Sequence, residues 1–452
     1  MYLGFIEALQ QELTSEKISR NKTVLVQHSG DESYHPRNLP KVVVFPETSF
    51  EVSSIIQIAN KYNQSITPYG IASSLEGSVI PYESSIVIDF SCMNRILEVK
   101  QEDFLVRVQP GVTLSQLNNE LKKYGMFFPV DPGADATIGG MAATNASGTM
   151  TVRYGTMRDQ VRKIEAVLAN GKIIHSGSLA VKSSSGYNLN GILIGSEGTL
   201  GCFTELILQI KGIPEKIIAA KASFGDIDTA SESVMQILQS GISIARVELV
   251  DQESIKHINW FSDTEYKEAP TLFLEFHGNQ AGLYEDTEFI QEILMDHGCI
   301  NIEFESNNTG RKRLWEARHN VLYSYVHGHP GKELMITDVC LPITNLATAI
   351  NKSRSIINNS SITGGIVGHV GDGNYHIFLM IDFENDMEEA NKINEYIVSY
   401  ALSKGGTCTG EHGVGVGKRK YQEEEHGDSF AVMQSIKLAI DPDNILNPGK
   451  IF

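Results

Sequence analysis

Two histidines stand on either side of a Gly-Asp-Gly turn. His369 and His376 are separated by six residues, and the glycines between them would let the two imidazoles converge from both sides of a bend. A carboxylate such as Glu411 would complete a three-ligand site with one open position, which is typical of catalytic metal centres. Two nitrogen ligands and one oxygen ligand favour Zn, with Mn or Fe(II) as alternatives. The simpler interpretation is that these histidines are ordinary core or surface residues.

A second segment could hold a phosphorylated cofactor. Residues 68–77 include Gly70, Ala72 and Gly77, so their backbone N–H groups could approach a diphosphate, with the hydroxyls of Ser73 and Ser74 as further donors. The GxGxxG fingerprint and the Walker A sequence are both absent, so NAD and ATP have no motif support. By composition alone, an ordinary surface loop is the alternative.

Composition limits the class of protein. The chain has 452 residues, which predicts two or three domains, and a net charge of -18, which argues against nucleic acid as a partner. Five widely spaced cysteines without a CxxC pair favour a reducing compartment. The N-terminus does not read as a signal peptide, and no apolar run is long enough to span a membrane. These features predict a cytoplasmic protein, with peripheral contact to a membrane left open.

The pattern of elements changes near residue 214. Strand and helix patterns alternate before it, whereas after it long helical patterns alternate with single strands. We expect an α+β fold whose second domain has an antiparallel sheet covered by helices. The helical patterns of this second part are 228–240, 283–297, 309–327, 344–358 and 386–404.

The glycine-rich segments of residues 41–214 resemble a known family. The chain is similar to the FAD domain of the vanillyl-alcohol oxidase, or PCMH-type, flavoproteins. The matching motifs occur in order: Pro68-x-Gly70 to Gly77, Pro132-Gly133, Thr137 to Gly140, Asn145-x-Ser147-Gly148, Tyr154-Gly155 and Gly195 to Gly201. The resemblance implies a two-subdomain FAD-binding domain, with the diphosphate on residues 70–75 and the isoalloxazine near residues 137–148.

The same resemblance implies which residues contact the cofactor. They are Pro68, Gly70, Ile71, Ala72, Ser73, Ser74, Pro132, Thr137, Ile138, Gly139, Gly140, Ala143, Thr144, Asn145, Gly148, Tyr154, Gly155, Glu197, Gly198 and Asn447. Relatives usually have more glycine in the first loop, where this chain has Ile71, Ala72 and Ser74. No histidine occurs in residues 68–78, where covalently flavinylated relatives carry their linkage, so we expect non-covalent FAD.

Over residues 35–452 the chain resembles one branch of that family. This branch contains D-lactate dehydrogenases, glycolate oxidases and D-2-hydroxyglutarate dehydrogenases, and the cytochrome-linked D-lactate dehydrogenases are the most similar group. The likeness rests on residues 315–320, 337–342, 368–376, 406–413 and 447–450. It implies that His369, His376 and Glu411 bind the metal, that His412 is the base and that Arg318 binds the substrate carboxylate. The alternative for Arg318 is a structural ion pair with Glu316 or another neighbour.

Three apolar residues favour a substrate with a short alkyl group. Leu322, Ile336 and Phe378 occupy positions where relatives acting on 2-hydroxyglutarate have polar or cationic residues. An ionised second carboxylate beside them would be desolvated without a partner. We therefore expect D-lactate or another aliphatic D-2-hydroxy acid, with weak activity on glycolate.

The resemblance defines the expected function. Metal-assisted deprotonation of the hydroxyl, with hydride transfer to flavin N5, would convert D-lactate to pyruvate and pass electrons to a quinone, a cytochrome or an electron-transfer flavoprotein. The alternatives are the FAD subunit of a glycolate oxidase complex and a non-catalytic flavin-binding subunit. The expected organisation is an FAD-binding domain over 1–213, a cap or substrate domain over 214–420 and a C-terminal segment over 421–452 that returns to the first domain. A homodimer is one assembly that we consider.

Overall fold

The computed structural model describes residues 4–82 and 85–452. The chain forms two compact units. Unit 1 comprises residues 1–147, 155–213 and 411–452, and unit 2 comprises residues 148–154 and 214–410. Unit 2 therefore ends at Gly410, ten residues before the limit of 420 that the sequence suggested. Residues 414–415 account for this difference, because their backbone N–H groups bond to the carboxylate of Glu197 in unit 1.

Both units contain helices and strands, which are numbered here in chain order. The helices are α1 Phe5–Glu12, α2 Lys22–Gln27, α3 Ser49–Lys61, α4 Leu114–Leu121, α5 Ile138–Thr144, α6 Thr151–Tyr154, α7 Met157–Gln160, α8 Leu189–Leu193, α9 Ile227–Gln239, α10 Gln252–Ser262, α11 Gln280–Asp296, α12 Asn308–His319, α13 Val321–Gly328, α14 Leu346–Asn358, α15 Met387–Ser403, α16 Gln422–His426 and α17 Asp428–Ile440.

The strands are β1 Ile18–Ser19, β2 Val42–Val44, β3 Ile66–Tyr69, β4 Ile86–Asp89, β5 Ile96–Lys100, β6 Leu105–Val108, β7 Met126–Phe127, β8 Val161–Val167, β9 Ile173–Gly177, β10 Cys202–Gln209, β11 Lys211–Gly212, β12 Lys216–Ser223, β13 Ile244–Val250, β14 Thr271–Gly278, β15 Asn301–Glu305, β16 Glu333–Cys340, β17 Thr363–His369 and β18 Asn374–Ile381.

The first sheet of unit 1 has the order β1-β2-β4-β3, in which β2 and β3 both pair in parallel with β4. Helix α3 connects β2 to β3, as the alternating pattern predicted. Thr48 caps this helix by accepting a hydrogen bond from the N–H of Glu51 at 3.2 Å. The apolar face of α3 packs into the core of this sheet with Ile66 and Ile86. The β2-α3-β3 motif leads into the loop that follows Tyr69, where the sequence predicts cofactor binding.

The second sheet of unit 1 has the order β5-β6-β10-β8-β9 and is antiparallel. Strands β8 and β9 form the hairpin that Asn170-Gly171 predicted, with Gly171 at a φ of 78°. Helices α4 and α5 contribute Leu117 and Ile138 to the core beside this sheet. Helix α5 begins at Ile138, which is buried in this core, so the predicted flavin-binding segment is anchored at that residue.

The C-terminal segment is built into unit 1 by buried polar contacts. Ile66 of β3 bonds through its N–H to the carbonyl of Ile445, and its own carbonyl accepts from Asn447, each at 2.7 Å. The buried amine of Lys437 on α17 donates to the carbonyls of Thr199 and Leu446 at 2.8 and 2.9 Å. These contacts fix Asn447 next to strand β3.

Unit 2 is organised on one antiparallel sheet with the order β15-β12-β14-β13-β17-β18-β16. Its helices α9 to α15 include those predicted from periodicity. The predicted single helix over 309–327 is two helices, since α12 ends at His319 and α13 begins at Val321. The predicted α+β class, with an antiparallel sheet and helices in the second part, is confirmed.

Among residues 4–82 and 85–452, every helix is too short or too polar to cross a lipid bilayer.

The buried amine of Lys450 gives unit 1 a testable pH dependence. Burial lowers the pKa of Lys450 to about 8, although Glu197 and Asp31 favour its charged form. Between pH 8 and pH 10.5 the unfolded chain binds the proton that the folded chain has released, so the free energy of unfolding should rise with pH. The rise attributable to this group is about 3 kcal/mol. Lys450→Met should remove it.

The measurement is chemical denaturation of both proteins from pH 7 to pH 11, compared as a difference at each pH. Lys182→Met, at an exposed position of unit 1, is the matched control and should keep the wild-type slope. A constant difference between wild type and Lys450→Met over this range would contradict the assignment.

Candidate active site

The two predicted metal-binding histidines lie on neighbouring antiparallel strands of unit 2. His369 is the last residue of β17, and His376 is the third residue of β18. Their rings are 5.3 Å apart between centroids and nearly perpendicular, at 78°. Gly373 makes the connecting turn at a φ of 80°, and a Cβ there would lie 2.0 Å from the carbonyl oxygen of Leu341. The turn therefore brings the two imidazoles together, as their spacing suggested.

The ring of His369 is oriented by a carboxylate that the sequence analysis did not identify. Its Nδ1 lies 2.6 Å from Oε1 of Glu248, a fully buried residue of β13. The second oxygen of Glu248 accepts a hydrogen bond from Nη2 of Arg318 at 2.6 Å. Burial alone would raise the pKa of Glu248, but His369 and Arg318 outweigh it and hold that pKa below its usual range. When Nδ1 donates its proton to Glu248, the lone pair of the ring lies on Nε2.

His376 lies beside a second buried carboxylate. Its Nδ1 lies 3.5 Å from Oδ1 of Asp338 on the adjacent strand β16. Asp338 also accepts from the side-chain amide of Asn374 at 2.7 Å, from the hydroxyl of Thr409 at 2.7 Å and from the N–H of Gly410 at 2.8 Å. A fully buried carboxylate requires such donors. Asp338 thereby ties residues 409–410 to the strands that carry the histidines.

Asn374 contributes a buried acceptor beside these groups. Its amide donates to Asp338 and to the carbonyl of Val339 at 2.8 Å, which fixes its orientation. Its Oδ1 is buried and finds no hydrogen-bond donor within residues 4–82 and 85–452. An oriented, buried amide oxygen of this kind can accept a hydrogen bond from a ligand.

Arg318 makes a buried ion pair. Its partner is Glu248 rather than Glu316, which lies on the exposed side of α12 and is 3.6 Å from Lys312. Nε of Arg318 is buried and has no acceptor among the described residues. The guanidinium is thus positioned by Glu248 and still has donor capacity.

Glu411 and His412 follow directly after unit 2. The Cα atom of Glu411 is about 3.8 Å from that of Gly410, because a trans peptide bond joins them. In unit 1 the hydroxyl of Ser147 donates to Oε2 of Glu411 at 2.8 Å. The segment has neither helix nor strand, and Gly413 has a φ of 85°. An irregular segment of this kind lets the adjacent Glu and His side chains point in different directions.

The three apolar residues proposed to shape the substrate pocket share one cluster. Phe378 of β18 is buried in the core of unit 2, and Leu322 of α13 and Ile336 of β16 pack against the same core. Trp315 and Tyr325 belong to this cluster as well.

The first predicted cofactor loop in unit 1 presents free backbone donors. From Ile71 to Leu75, no N–H group donates to a protein acceptor within the described ranges. Ala72 adopts a φ of 58°, and Ser74 has a buried hydroxyl without a partner there. A Cβ on Gly70 would lie 2.4 Å from Oγ1 of Thr137, so this position requires glycine. Free N–H groups on a tight turn of small residues suit a diphosphate.

The other predicted cofactor segments of unit 1 pack against one another. The N–H of Glu197 bonds to the carbonyl of Ala143 at 2.8 Å, and Asn447 donates to the carbonyls of Glu197 and Ser78 at 2.6 and 2.9 Å. Burial raises the pKa of Glu197, although the backbone N–H groups of residues 414–415 and the side chain of Ser78 oppose this. Oδ1 of Asn447 is buried without a partner among the described residues. Asn447 and Glu197 are therefore neighbours, as the resemblance implied.

The remaining predicted cofactor residues are distributed as follows. Pro132, Ile138, Gly139, Gly140, Thr144, Asn145, Gly155 and Gly198 lie in unit 1, whereas Gly148 and Tyr154 lie in unit 2. Tyr154 joins unit 2 because its hydroxyl bonds to Nδ1 of His277 at 2.9 Å. The side chain of Arg153 also donates to the carbonyl of His277, at 2.6 Å.

Three residues of the site were missed by sequence reasoning. Asp338 and Asn374 lie inside segments that carried the family resemblance, so their chemistry could have been considered. Glu248 gave one signal, a single carboxylate within the apolar run of β13, which marks a buried charge that needs a partner. Its partners, His369 and Arg318, are distant in the chain, so the sequence alone did not identify them.

Comparison with known proteins identifies the family. Residues 40–177 match the family "FAD binding domain", and residues 213–451 match the family "FAD linked oxidases, C-terminal domain". The chain is 42% identical to a probable mitochondrial D-lactate dehydrogenase of Danio rerio, over 96% of this chain and 89% of that protein. It is 41% identical to the mitochondrial D-lactate dehydrogenase [cytochrome] of Arabidopsis thaliana, over 98% and 81%.

A more distant relative and the solved structures extend this result. Glycolate oxidase subunit GlcD of Bacillus subtilis is 32% identical over 94% of this chain and 92% of that protein. The structure of p-cresol methylhydroxylase with bound substrate superposes with a TM-score of 0.81 at 15% identity, covering 99% of this chain and 96% of that one. This last likeness shows the fold alone. The chain belongs to the PCMH-type FAD-linked oxidoreductases, in the branch that contains D-lactate dehydrogenases and glycolate oxidase subunits.

Proposed function

We propose that this enzyme oxidises D-lactate, or a closely related aliphatic D-2-hydroxy acid, to the 2-oxo acid. The observation that carries the proposal is that one buried carboxylate, Glu248, contacts both His369 and Arg318. The hydroxyl and carboxylate of a 2-hydroxy acid sit on adjacent carbons. A substrate of that kind needs a metal-binding group and a cation within a few ångströms of each other, and these two side chains provide that spacing.

The residues of unit 1 fit FAD. The unsatisfied N–H groups of residues 71–75 suit its diphosphate, and the buried acceptor of Asn447 and the hydroxyl of Ser74 offer further polar contacts. Thr137, Gly139 and Asn145 lie on the segment proposed to face the isoalloxazine. When bound, FAD supplies the hydride acceptor for the reaction.

The donor set fits a divalent cation. We propose His369, His376 and Glu411 as its ligands, with Zn favoured and Mn or Fe as alternatives. Glu248 would hold the imidazole of His369 in the tautomer that carries its lone pair on Nε2, and Asp338 places a carboxylate beside His376. A cation at this position would lower the pKa of the substrate hydroxyl.

The chain's own residues then divide the remaining tasks. His412 would accept the hydroxyl proton, because an imidazole titrates near the working pH. Arg318 would bind the substrate carboxylate with the guanidinium N–H groups that Glu248 does not occupy. Leu322, Ile336 and Phe378 would exclude water and a second charge from the substrate's side chain.

The electron acceptor is proposed from the relatives' names and from the resemblance: a cytochrome, a quinone or an electron-transfer flavoprotein. A second candidate is the FAD subunit of a glycolate oxidase complex, which the similarity to GlcD favours. Activity of the purified chain with an artificial dye would support the free-standing enzyme. A homodimer, cytoplasmic location and peripheral membrane contact stay predictions.

Anaerobic bleaching of the flavin tests the proposed reaction. D-Lactate should bleach the oxidised flavin band, and L-lactate should leave it unchanged. Removal of the metal with a chelator should abolish bleaching, and added Zn²⁺ or Mn²⁺ should restore it. His412→Ala should slow bleaching by about 100- to 10,000-fold. Full bleaching by the chelated protein would show that the metal is not required.

Substrate preference should follow charge rather than length. The kcat/KM for D-lactate should exceed that for D-2-hydroxyglutarate by at least about 100-fold, because a desolvated carboxylate without a partner costs several kcal/mol. D-2-Hydroxybutyrate, whose side chain is longer but uncharged, is the matched control and should stay within about tenfold of D-lactate. A higher kcat/KM for D-2-hydroxyglutarate would show that the pocket assignment is wrong.

The flavin should be held without a covalent bond. Residues 68–78 contain no histidine for such a linkage, and the free N–H groups there offer hydrogen bonds only. Acid precipitation should therefore release the yellow colour into the supernatant, measured by absorbance and by mass spectrometry of the protein. Colour that stays in the pellet, with the protein mass increased by that of FAD, would contradict this.

A further inference from the structure

Glu248 occupies an unusual position, because it is a fully buried carboxylate with two functional partners. Oε1 lies 2.6 Å from Nδ1 of His369, and Oε2 lies 2.6 Å from Nη2 of Arg318. We propose that Glu248 is a positioning residue that couples metal binding to recognition of the substrate carboxylate. The inference rests on the proposed function for the roles of His369 and Arg318, and it assigns the residue that makes those two roles interdependent.

The sheet fixes Glu248 in this position. Strand β13 lies between β14 and β17, and its Leu249 pairs with Gly368, the residue before His369. On the other side, Glu248 pairs with Phe273 of β14. Pairing on both sides fixes the backbone of β13, and the short contacts with His369 and Arg318 fix the carboxylate. The carboxylate therefore acts as a rigid bridge between strand β17 and helix α12.

The chemistry of the bridge explains why a carboxylate is needed. An ionised carboxylate accepts at both oxygens, and Arg318 can only donate. When His369 donates its Nδ1–H to Glu248, the Nε2 lone pair is available to a metal. An amide at this position has one acceptor and one donor end. It would satisfy either Arg318 or His369, and the NH2 group would face a donor at the other.

This argument predicts a specific defect in Glu248→Gln. If the amide oxygen keeps Arg318, its NH2 group forces His369 to accept at Nδ1 and to carry its proton on Nε2, which blocks metal binding. If the oxygen keeps His369, the amide repels the guanidinium, and Arg318 loses its orientation. In the first case metal binding is impaired, and in the second case binding of the substrate carboxylate is impaired. The folded structure is expected to persist in both cases.

The first measurement is Zn²⁺ binding, which does not depend on turnover. The flavin-loaded protein is stripped of metal with a chelator, and Zn²⁺ alone is titrated in competition with a chelating dye. Loss of an outer partner of a metal-binding histidine typically weakens metal affinity by about 10- to 100-fold. If the amide oxygen of Glu248→Gln keeps Arg318, the Kd for Zn²⁺ should rise by that factor. If it keeps His369, the defect should appear instead in the KM measured next. His369→Ala provides the reference for a lost ligand.

The second measurement is steady-state kinetics with saturating Zn²⁺. If Arg318 is displaced, the KM for D-lactate should rise by about tenfold or more, with a smaller change in kcat, because carboxylate binding is shared by the ground state and the transition state. A merely structural role for Glu248 would not produce this separation between KM and kcat.

Asp251→Asn is the matched control. Asp251 is also buried, lies three residues along the chain, and forms an ion pair with Arg354. It also caps α10 through the N–H of Ser254 at 2.9 Å. The variant removes a comparable buried charge from the same part of unit 2. Its Kd for Zn²⁺ should stay within about twofold of wild type.

The outcomes separate this inference from the proposed function. Wild-type protein that binds Zn²⁺ no better than His369→Ala would refute the proposed metal site. Wild-type binding together with an unchanged Kd and KM in Glu248→Gln would overturn the inference and leave the proposed function intact. If the Gln variant does not fold, Glu248→Asp replaces it, since the shorter carboxylate cannot reach both partners. The Asp variant should show a raised Kd for Zn²⁺ or a raised KM for D-lactate relative to Asp251→Asn, and equal values of both would overturn the inference.

Discussion

Buried carboxylates are the constraint on which the site in unit 2 depends. Glu248 and Asp338 are fully buried, and an ionised carboxylate in such a place is tolerated only when charged or polar donors surround it. Each of them lies next to a histidine: Glu248 is 2.6 Å from Nδ1 of His369, and Asp338 is 3.5 Å from Nδ1 of His376. The need to neutralise buried charge and the need to orient two imidazoles are met by the same contacts. Stability and function are coupled in this sheet.

Unit 1 meets the opposite requirement, because its backbone must keep donors unsatisfied. The loop of residues 71–75 leaves its N–H groups without protein acceptors, and Glu197 adopts a positive φ of 49°. Such a backbone needs support from elsewhere in the unit. Asn447 supplies it by bonding to the carbonyls of Ser78 and Glu197, and the buried Lys437 holds the preceding segment. The C-terminal segment thus holds Ser78 and Glu197, which are far from it in sequence and belong to the region proposed to bind the cofactor.

Local patterns were readable from the sequence, and non-local partners were not. The cap at Thr48, the hairpin at Gly171 and the turn at Gly373 each follow from residue types within a few positions of one another. The break between α12 and α13 at Asn320 was missed, because periodicity alone continues across it. The partner of Arg318 was predicted only as Glu316 or a neighbour. Glu248 lies 70 residues away in the chain, and only strand register brings it close.

The fold by itself does not explain the chemistry. This chain superposes well on p-cresol methylhydroxylase at 15% identity, so the same architecture can be built from very different sequences. Fold and function are separable in this way because reactions depend on a few side chains grafted onto a stable framework. In this chain the histidine pair is supported by carboxylates placed in the interior of the sheet. A change of reaction within the fold would therefore require changes in the core as well as in the pocket, because a buried carboxylate that loses its histidine is left with an uncompensated charge.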